Sequence, residues 1–241
     1  MIESNPTQGI LSLLPEAPYL IHLPMTSNKS KISMGLFEKI KQLLQPAEKE
    51  SDNSVKYLIT GLGNIGREYE HTRHNIGFDV LDELAKQENI EFRDSRYGNV
   101  TEYKFKGRTF VLLKPSTYVN LSGKAINYWM KQEKIPAERL LVVLDDLALP
   151  FGTLRLKAKG SDAGHNGLKN INQVLGHNQY ARLRFGIGDN YSRGRQIDYV
   201  LGTWDRDEEV ALPERIDKAI EIIKGFGTIG LAQTMSHYNN K

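Results

Sequence analysis

From Val55 onward, apolar and polar positions fall into blocks that read alternately as strands and helices. Val55–Thr60 is a short apolar-rich run entering Gly61, the pattern of a buried strand. Phe78–Lys86 carries its apolar residues at helical spacing. Thr109–Leu113 reads as a second strand stopped by Lys114-Pro115, and Ser122–Lys131 reads as a helix. Leu140–Leu144 is a third strand that runs straight into Asp145-Asp146. Gly164–Leu175 reads as a loop followed by a helix, and Arg182–Ile187 alternates basic with apolar residues as a half-buried strand does. Glu208–Lys224 sets Val210, Leu212, Ile216, Ala219, Ile220 and Ile223 along a helix with one wet face, and Pro213 is expected in its first turn. Strands alternating with helices predict an α/β fold, a single domain around a mainly parallel sheet.

The first 54 residues have a different character. Pro15, Pro18 and Pro24 break up the apolar Ile10–Leu14 run, and Glu3 stands where a secretory signal carries positive charge. Leu36, Phe37, Ile40, Leu43 and Leu44 share a helical face until Pro46, and a polar linker follows. Residues 1–54 are therefore expected to be a disordered extension with an amphipathic helix near 34–45, and 55–241 the compact domain.

Composition narrows the chemistry. The 241 residues contain no cysteine, which removes disulfides, thiolate zinc sites and a cysteine nucleophile, and fits a reducing cytoplasm. No apolar run reaches the roughly 18 residues that span a bilayer. The formal net charge is only +3, yet eight basic residues between Phe151 and Arg195 face two acids, Asp162 and Asp189. A local excess of this kind can hold a polyanion on a nearly neutral protein.

Gly61-Leu62-Gly63-Asn64-Ile65-Gly66 follows a strand and matches the dinucleotide-binding pattern letter for letter. That pattern needs a helix to begin at its third glycine, with the helix N-terminus aimed at a pyrophosphate. Here a polar, charged stretch runs on to Asn75, so the glycines are read as a tight turn that presents Asn64. Three further loops after strands carry reactive groups: Lys114–Gly123, Asp145–Pro150 and Gly160–Leu168. If the strands are parallel, all four loops meet on one edge of the sheet. A histidine oriented by a carboxylate can take a proton from water, and asparagine amides can hold carbonyls and stabilise developing negative charge. The set suggests general-base hydrolysis without a covalent intermediate, and no G-x-S-x-G elbow is present. Zinc held by His71, His74, Asp145 and His165 stays open as an alternative, although there is no H-E-x-x-H run.

Six blocks occur in order: Gly61–Gly66 with Tyr69; Thr72-Arg73-His74-Asn75 with Gly77; Lys114-Pro115, Thr117-Tyr118, Asn120 and Ser122-Gly123; Asp145-Asp146-Leu147 with Leu149-Pro150 and Gly152; Gly164–Leu168; and Arg182-Leu183-Arg184 with Gly186–Gly188. Together they resemble the signature of bacterial-type peptidyl-tRNA hydrolases, from about Lys56 to the C-terminus. The resemblance implies a twisted mixed sheet with helices on both faces, acting as a cytoplasmic monomer without metal or organic cofactor. It implies cleavage of the ester between peptide and tRNA, with His74 as general base, Asp145 orienting it and Asn64 recognising the peptide. Asn120 and Asn166 would hold the substrate's end and the attacking water. Tyr69 and Tyr118 would line the tRNA 3′ end, and a basic stretch including Lys157 and Arg182 would receive acceptor-stem phosphates. The chain departs from the family pattern at Val119, Leu144 and Ile65. An RNA-binding homologue that has lost hydrolysis is the alternative, and the presence of every proposed catalytic group argues against it.

Overall fold

The computed structural model describes residues 54–239. The extension at 1–54 and its helix near 34–45 lie, but for Ser54, outside the described residues.

Strand β1 (Val55–Gly61) occupies the centre of a seven-stranded mixed sheet. The other strands are β2 (Arg93–Ser95), β3 (Gly98–Phe105), β4 (Arg108–Pro115), β5 (Leu140–Asp146), β6 (Leu154–Lys157) and β7 (Ala181–Gly186). Their spatial order is β2-β3-β4-β1-β5-β7-β6. Strands β4, β1, β5 and β7 run parallel, while β2, β3 and β6 attach through antiparallel pairings at the two sides. The carboxyl ends of the four parallel strands therefore share one edge, where open α/β sheets present their sites.

Helices cover both faces. On one lie α1 (Ile76–Gln87), α5 (Arg206–Thr228) and α6 (Leu231–Tyr238), packed through Val80, Leu84, Ile220 and Phe226. On the other lie α2 (Ser122–Gln132) and α3 (Asn166–Leu175), packed through Ile126, Trp129 and Ile171. A short helix α4 (Gln196–Val200) stands near the carboxyl end of β5. No helix among the described residues is long and apolar enough to cross a membrane.

Two expectations are corrected. Pro213 lies well inside α5 rather than in its first turn. The helix begins earlier because Asp205 and Glu208 form a capping box that satisfies its first amides. Strand β7 is buried along nearly its whole length, Arg182 included, because β5 and β6 flank it on both sides.

Close approach of backbones sets the site. A Cβ on Gly77 would overlap the main chain of Leu62 and come within 2.6 Å of the Val143 carbonyl oxygen. Only a glycine lets the first turn of α1 press onto the end of β1 and the middle of β5. That contact carries the preceding residues, His74 and Asn75, to the carboxyl edge of the sheet.

Candidate active site

Thr72–Asn75 reaches the sheet edge as a 3-10 turn, and α1 starts only at Ile76. Only a three-residue 3-10 turn, Arg67–Tyr69, with no buried residue follows Gly66, so the α-helix that dinucleotide binding needs at the third glycine is absent from this loop. Instead, Asn75 closes the Gly-rich turn: its Oδ1 accepts from the Asn64 amide at 2.8 Å, and its Nδ2 donates to the Asn64 carbonyl at 3.0 Å. The Asn64 side chain then accepts from the Val119 amide at 3.0 Å, which ties the first loop to the turn carrying Asn120. Val119, one of the departures from the family pattern, is buried there in the second core.

Asp145, at the end of β5, is the hub. Its Oδ1 lies 2.8 Å from His74 Nδ1 and 3.1 Å from His165 Nε2, and the carboxyl is almost fully buried. Burial pushes the Asp145 carboxyl up, but the His74 imidazole, then His165, and the bonds from both hold it well below the usual carboxylate range. An ionised carboxylate only accepts, so each ring presents an N–H to it. Burial alone would pull His74 down; the charge of Asp145 and its hydrogen bond outweigh that and raise His74 above the ordinary imidazole value. With its proton on Nδ1, neutral His74 has its Nε2 lone pair free to take a proton.

His165 is fixed by a second interaction. It caps α3, and its Nδ1 accepts from the amides of Gly167 at 3.1 Å and Leu168 at 3.4 Å. Those bonds hold the proton on Nε2, facing Asp145. The three potential ligand atoms of His74, Asp145 and His165 lie within 4.8 Å of one another. A metal on His165 Nε2 would force the proton onto Nδ1, against two backbone N–H donors, so this arrangement fits hydrogen bonding rather than zinc. His71 does not join the group; it is exposed, with φ of 56°, and its Nδ1 lies 3.2 Å from Asp79.

A cavity of about 550 Å³ opens over this hub. It brings together His74, Asp145, Asn166, Lys157 and Arg182 from the sequence-derived set, and adds Lys159, Arg184 and Tyr191. Asn64 borders a second cavity of about 340 Å³ on the other side of Asn75. Asn120 and Tyr118 are exposed in the turn before α2, Tyr118 at 53%, and Tyr69 is half-buried; these three line neither cavity.

Arg182 differs from expectation. It is only 2% exposed, and its guanidinium donates to the carbonyls of Ser161 at 2.8 Å and Asn178 at 3.2 Å. A buried guanidinium spent on two main-chain carbonyls ties down the Gly160–Asn166 loop and is not open to a phosphate. Lys157 is exposed on the cavity rim, and Arg184 is ion-paired with Asp146. Sequence reasoning weighed His165 only as a metal ligand, and it left out Asn75 as the lock on Asn64.

Comparison with known proteins gives consistent results. A family model described as peptidyl-tRNA hydrolase matches residues 58–241. The chain is similar to the peptidyl-tRNA hydrolase of Phocaeicola vulgatus, 60% identical over 187 residues, covering 78% of this chain and all of that one. It is also similar to that of Porphyromonas gingivalis, 58% identical over 185 residues, covering 77% and 100% respectively. Among solved structures, peptidyl-tRNA hydrolase from Acinetobacter baumannii superposes with a TM-score of 0.72 at 34% identity, over 76% of this chain and 94% of that one.

Proposed function

The chain belongs to the peptidyl-tRNA hydrolase family, and on that premise we propose that it hydrolyses the ester joining a peptide, or an N-blocked amino acid, to tRNA, with His74 as general base. The observation that carries the reading is the 2.8 Å bond from His74 Nδ1 to ionised Asp145, which leaves Nε2 as the proton acceptor of a histidine that lines the cavity.

In this mechanism a water gives a proton to His74 Nε2 as its oxygen attacks the ester carbonyl carbon. Asp145 stabilises the imidazolium that forms. The tetrahedral intermediate collapses by breaking the bond to the ribose oxygen. That oxygen takes the proton back from His74, and the products are a free peptide acid and a tRNA. Asn166, at the start of α3 on the cavity wall, holds the attacking water. Asn64 and Asn120, joined through Val119, hold the peptide side of the ester with neutral amide donors. The exposed ring of Tyr118 offers a stacking face to the tRNA 3′ end, and Tyr69 in the chain's first loop would offer a second. Lys157, on the rim, meets a phosphate, while Arg182 serves the loop instead. The reading needs no metal, organic cofactor or second copy of the chain, and places the enzyme in the cytoplasm.

The test compares N-acetyl-aminoacyl-tRNA with the same tRNA carrying an unblocked amino acid. Rapid release of the acetylated amino acid, with the unblocked one spared, is expected. Equal rates on both would contradict recognition of the peptide side, and no release from either would leave an RNA-binding protein without the proposed reaction.

A further inference from the structure

Arg73, the neighbour of His74, is buried with only 4% exposure although it carries a full charge. Its partners lie in a distant part of the chain. The Arg73 amide donates to the Gly202 carbonyl at 3.0 Å, Nη1 donates to the Thr203 carbonyl at 2.5 Å, and Nη2 donates to Glu208 at 2.6 Å. Thr72 and Thr203 form an antiparallel bridge beside them. The same Glu208 oxygen accepts from the Asp205 amide at 2.9 Å, so one carboxylate ties Arg73 to the N-terminus of α5. The guanidinium also lies over the ring of Tyr199 at 4.4 Å and that of Trp204 at 5.5 Å. Tyr199 in turn contacts Tyr191, with ring centroids 5.1 Å apart, and donates to the Ile187 carbonyl at 2.6 Å.

These contacts form a column from the base to the far wall of the large cavity, where Tyr191, Gln196, Ile197 and Val200 stand. That wall has little else to hold it. From Asp189 to Asp198 every residue is exposed except the half-buried Tyr191, so few apolar contacts fix the segment. His74 is held independently, by Asp145 on its ring and by the lock between Asn75 and Asn64 on its backbone.

We propose that Arg73 is a positioning residue: through Tyr199 it keeps the Tyr191–Val200 wall in register with His74, and so governs capture of the substrate rather than the chemical step. The inference rests on the functional reading above, in that the cavity receives the tRNA end. It predicts a division of effects. Loosening the wall weakens binding, while a base fixed by Asp145 and Asn75 keeps its turnover.

The experiment uses the full chain with Arg73→Lys, which keeps the charge but loses the planar fork and its stacking, and Tyr199→Leu, which removes the ring beneath the guanidinium together with its contact to Tyr191 and its bond to the Ile187 carbonyl. Kinetics on N-acetyl-aminoacyl-tRNA are measured well below the unfolding midpoint. A KM increase of about ten-fold, with kcat within about two-fold and the pH midpoint of kcat unchanged, supports the proposal. A lowered melting temperature with KM unchanged makes Arg73 merely structural and overturns it, and so does a fall in kcat at constant KM. Affinity for uncharged tRNA is measured in parallel. If the wild type bound tRNA but released no amino acid, the functional reading would fail; weaker tRNA binding in both variants would still uphold the wall's role, and unchanged binding would overturn it. If Arg73→Lys fails to fold, Tyr199→Leu decides by the same readouts.

Discussion

His74 lies under two opposing influences, since burial disfavours its imidazolium and the Asp145 carboxylate at 2.8 Å favours it. Asp145 prevails, and the base must lose a proton before it can accept one from water. Activity is therefore expected to rise with pH through a midpoint above the ordinary imidazole value of about 6.5 and then level off. In Asp145→Asn the anion is gone. The midpoint should move down, and the plateau should fall by roughly 10² to 10⁴, since an amide can leave the ring in the wrong tautomer. A pH–rate profile of both proteins checks this, and an unshifted midpoint would show that Asp145 does not set the base. The same pair links to stability with opposite signs at its two ends. The Asp145 contribution is present above the unfolded carboxylate pKa and is lost as pH falls through its depressed folded value. The His74 contribution is present below the unfolded imidazole pKa and is lost as pH rises through its elevated folded value. The pair thus supports the fold most between about pH 4 and 6.5.

Between elements, the critical contact is that of α1 with the end of β1 and the middle of β5, where Gly77 meets Leu62 and Val143 backbone. Gly77→Ala should destabilise the protein by about 2 kcal/mol or more, because the atoms in the way are main chain and cannot rotate aside. The turn carrying His74 would shift with the helix, so activity should fall even where the variant is folded. Denaturant titration and turnover at one temperature check both, and wild-type stability in this variant would contradict the packing account. The sequence pattern captured the elements whose apolar periodicity is strong, namely β1, β4, β5, α1, α2, α3 and the bulk of α5. It missed β3, whose Thr101, Glu102 and Lys104 interrupt the apolar pattern, and whose hairpin to β4 turns at Lys106-Gly107. Both turn residues have positive φ, 47° and 71°, as a two-residue hairpin requires, yet Lys-Gly is not the Asn-Gly or Asp-Gly signal that announces such a turn. Strand β6 and helix α6 are too short to show a period, and Pro213 sits inside α5 because the Asp205–Glu208 box starts the helix at Arg206.

Across the whole molecule, the parallel strands end on one edge, and that edge gathers residues that lie far apart in the chain. The loops carrying Asn64, His74 and Asp145 were legible because each follows a parallel strand and carries its own short motif; the loop carrying Asn166 follows β6, which runs antiparallel, and was legible from its motif alone. What joins them was not legible: Asp145 bridging two histidines and Arg73 reaching Glu208 join separate parts of the chain, and Asn75 locking Asn64 depends on how one loop folds back on itself, none of which a residue pattern encodes. Arg182 misled for the same reason, since a basic residue in a basic stretch looks exposed until its strand is placed inside the sheet. The central claim is that this edge hydrolyses peptidyl-tRNA through His74. Its most direct test is single-turnover release of N-acetyl-amino acid from tRNA by the wild type and by His74→Ala, with tRNA affinity measured on the same preparations. The account predicts release by the wild type and a loss of at least about 10²-fold in the variant at undiminished tRNA affinity. Release by His74→Ala at the wild-type rate would contradict it.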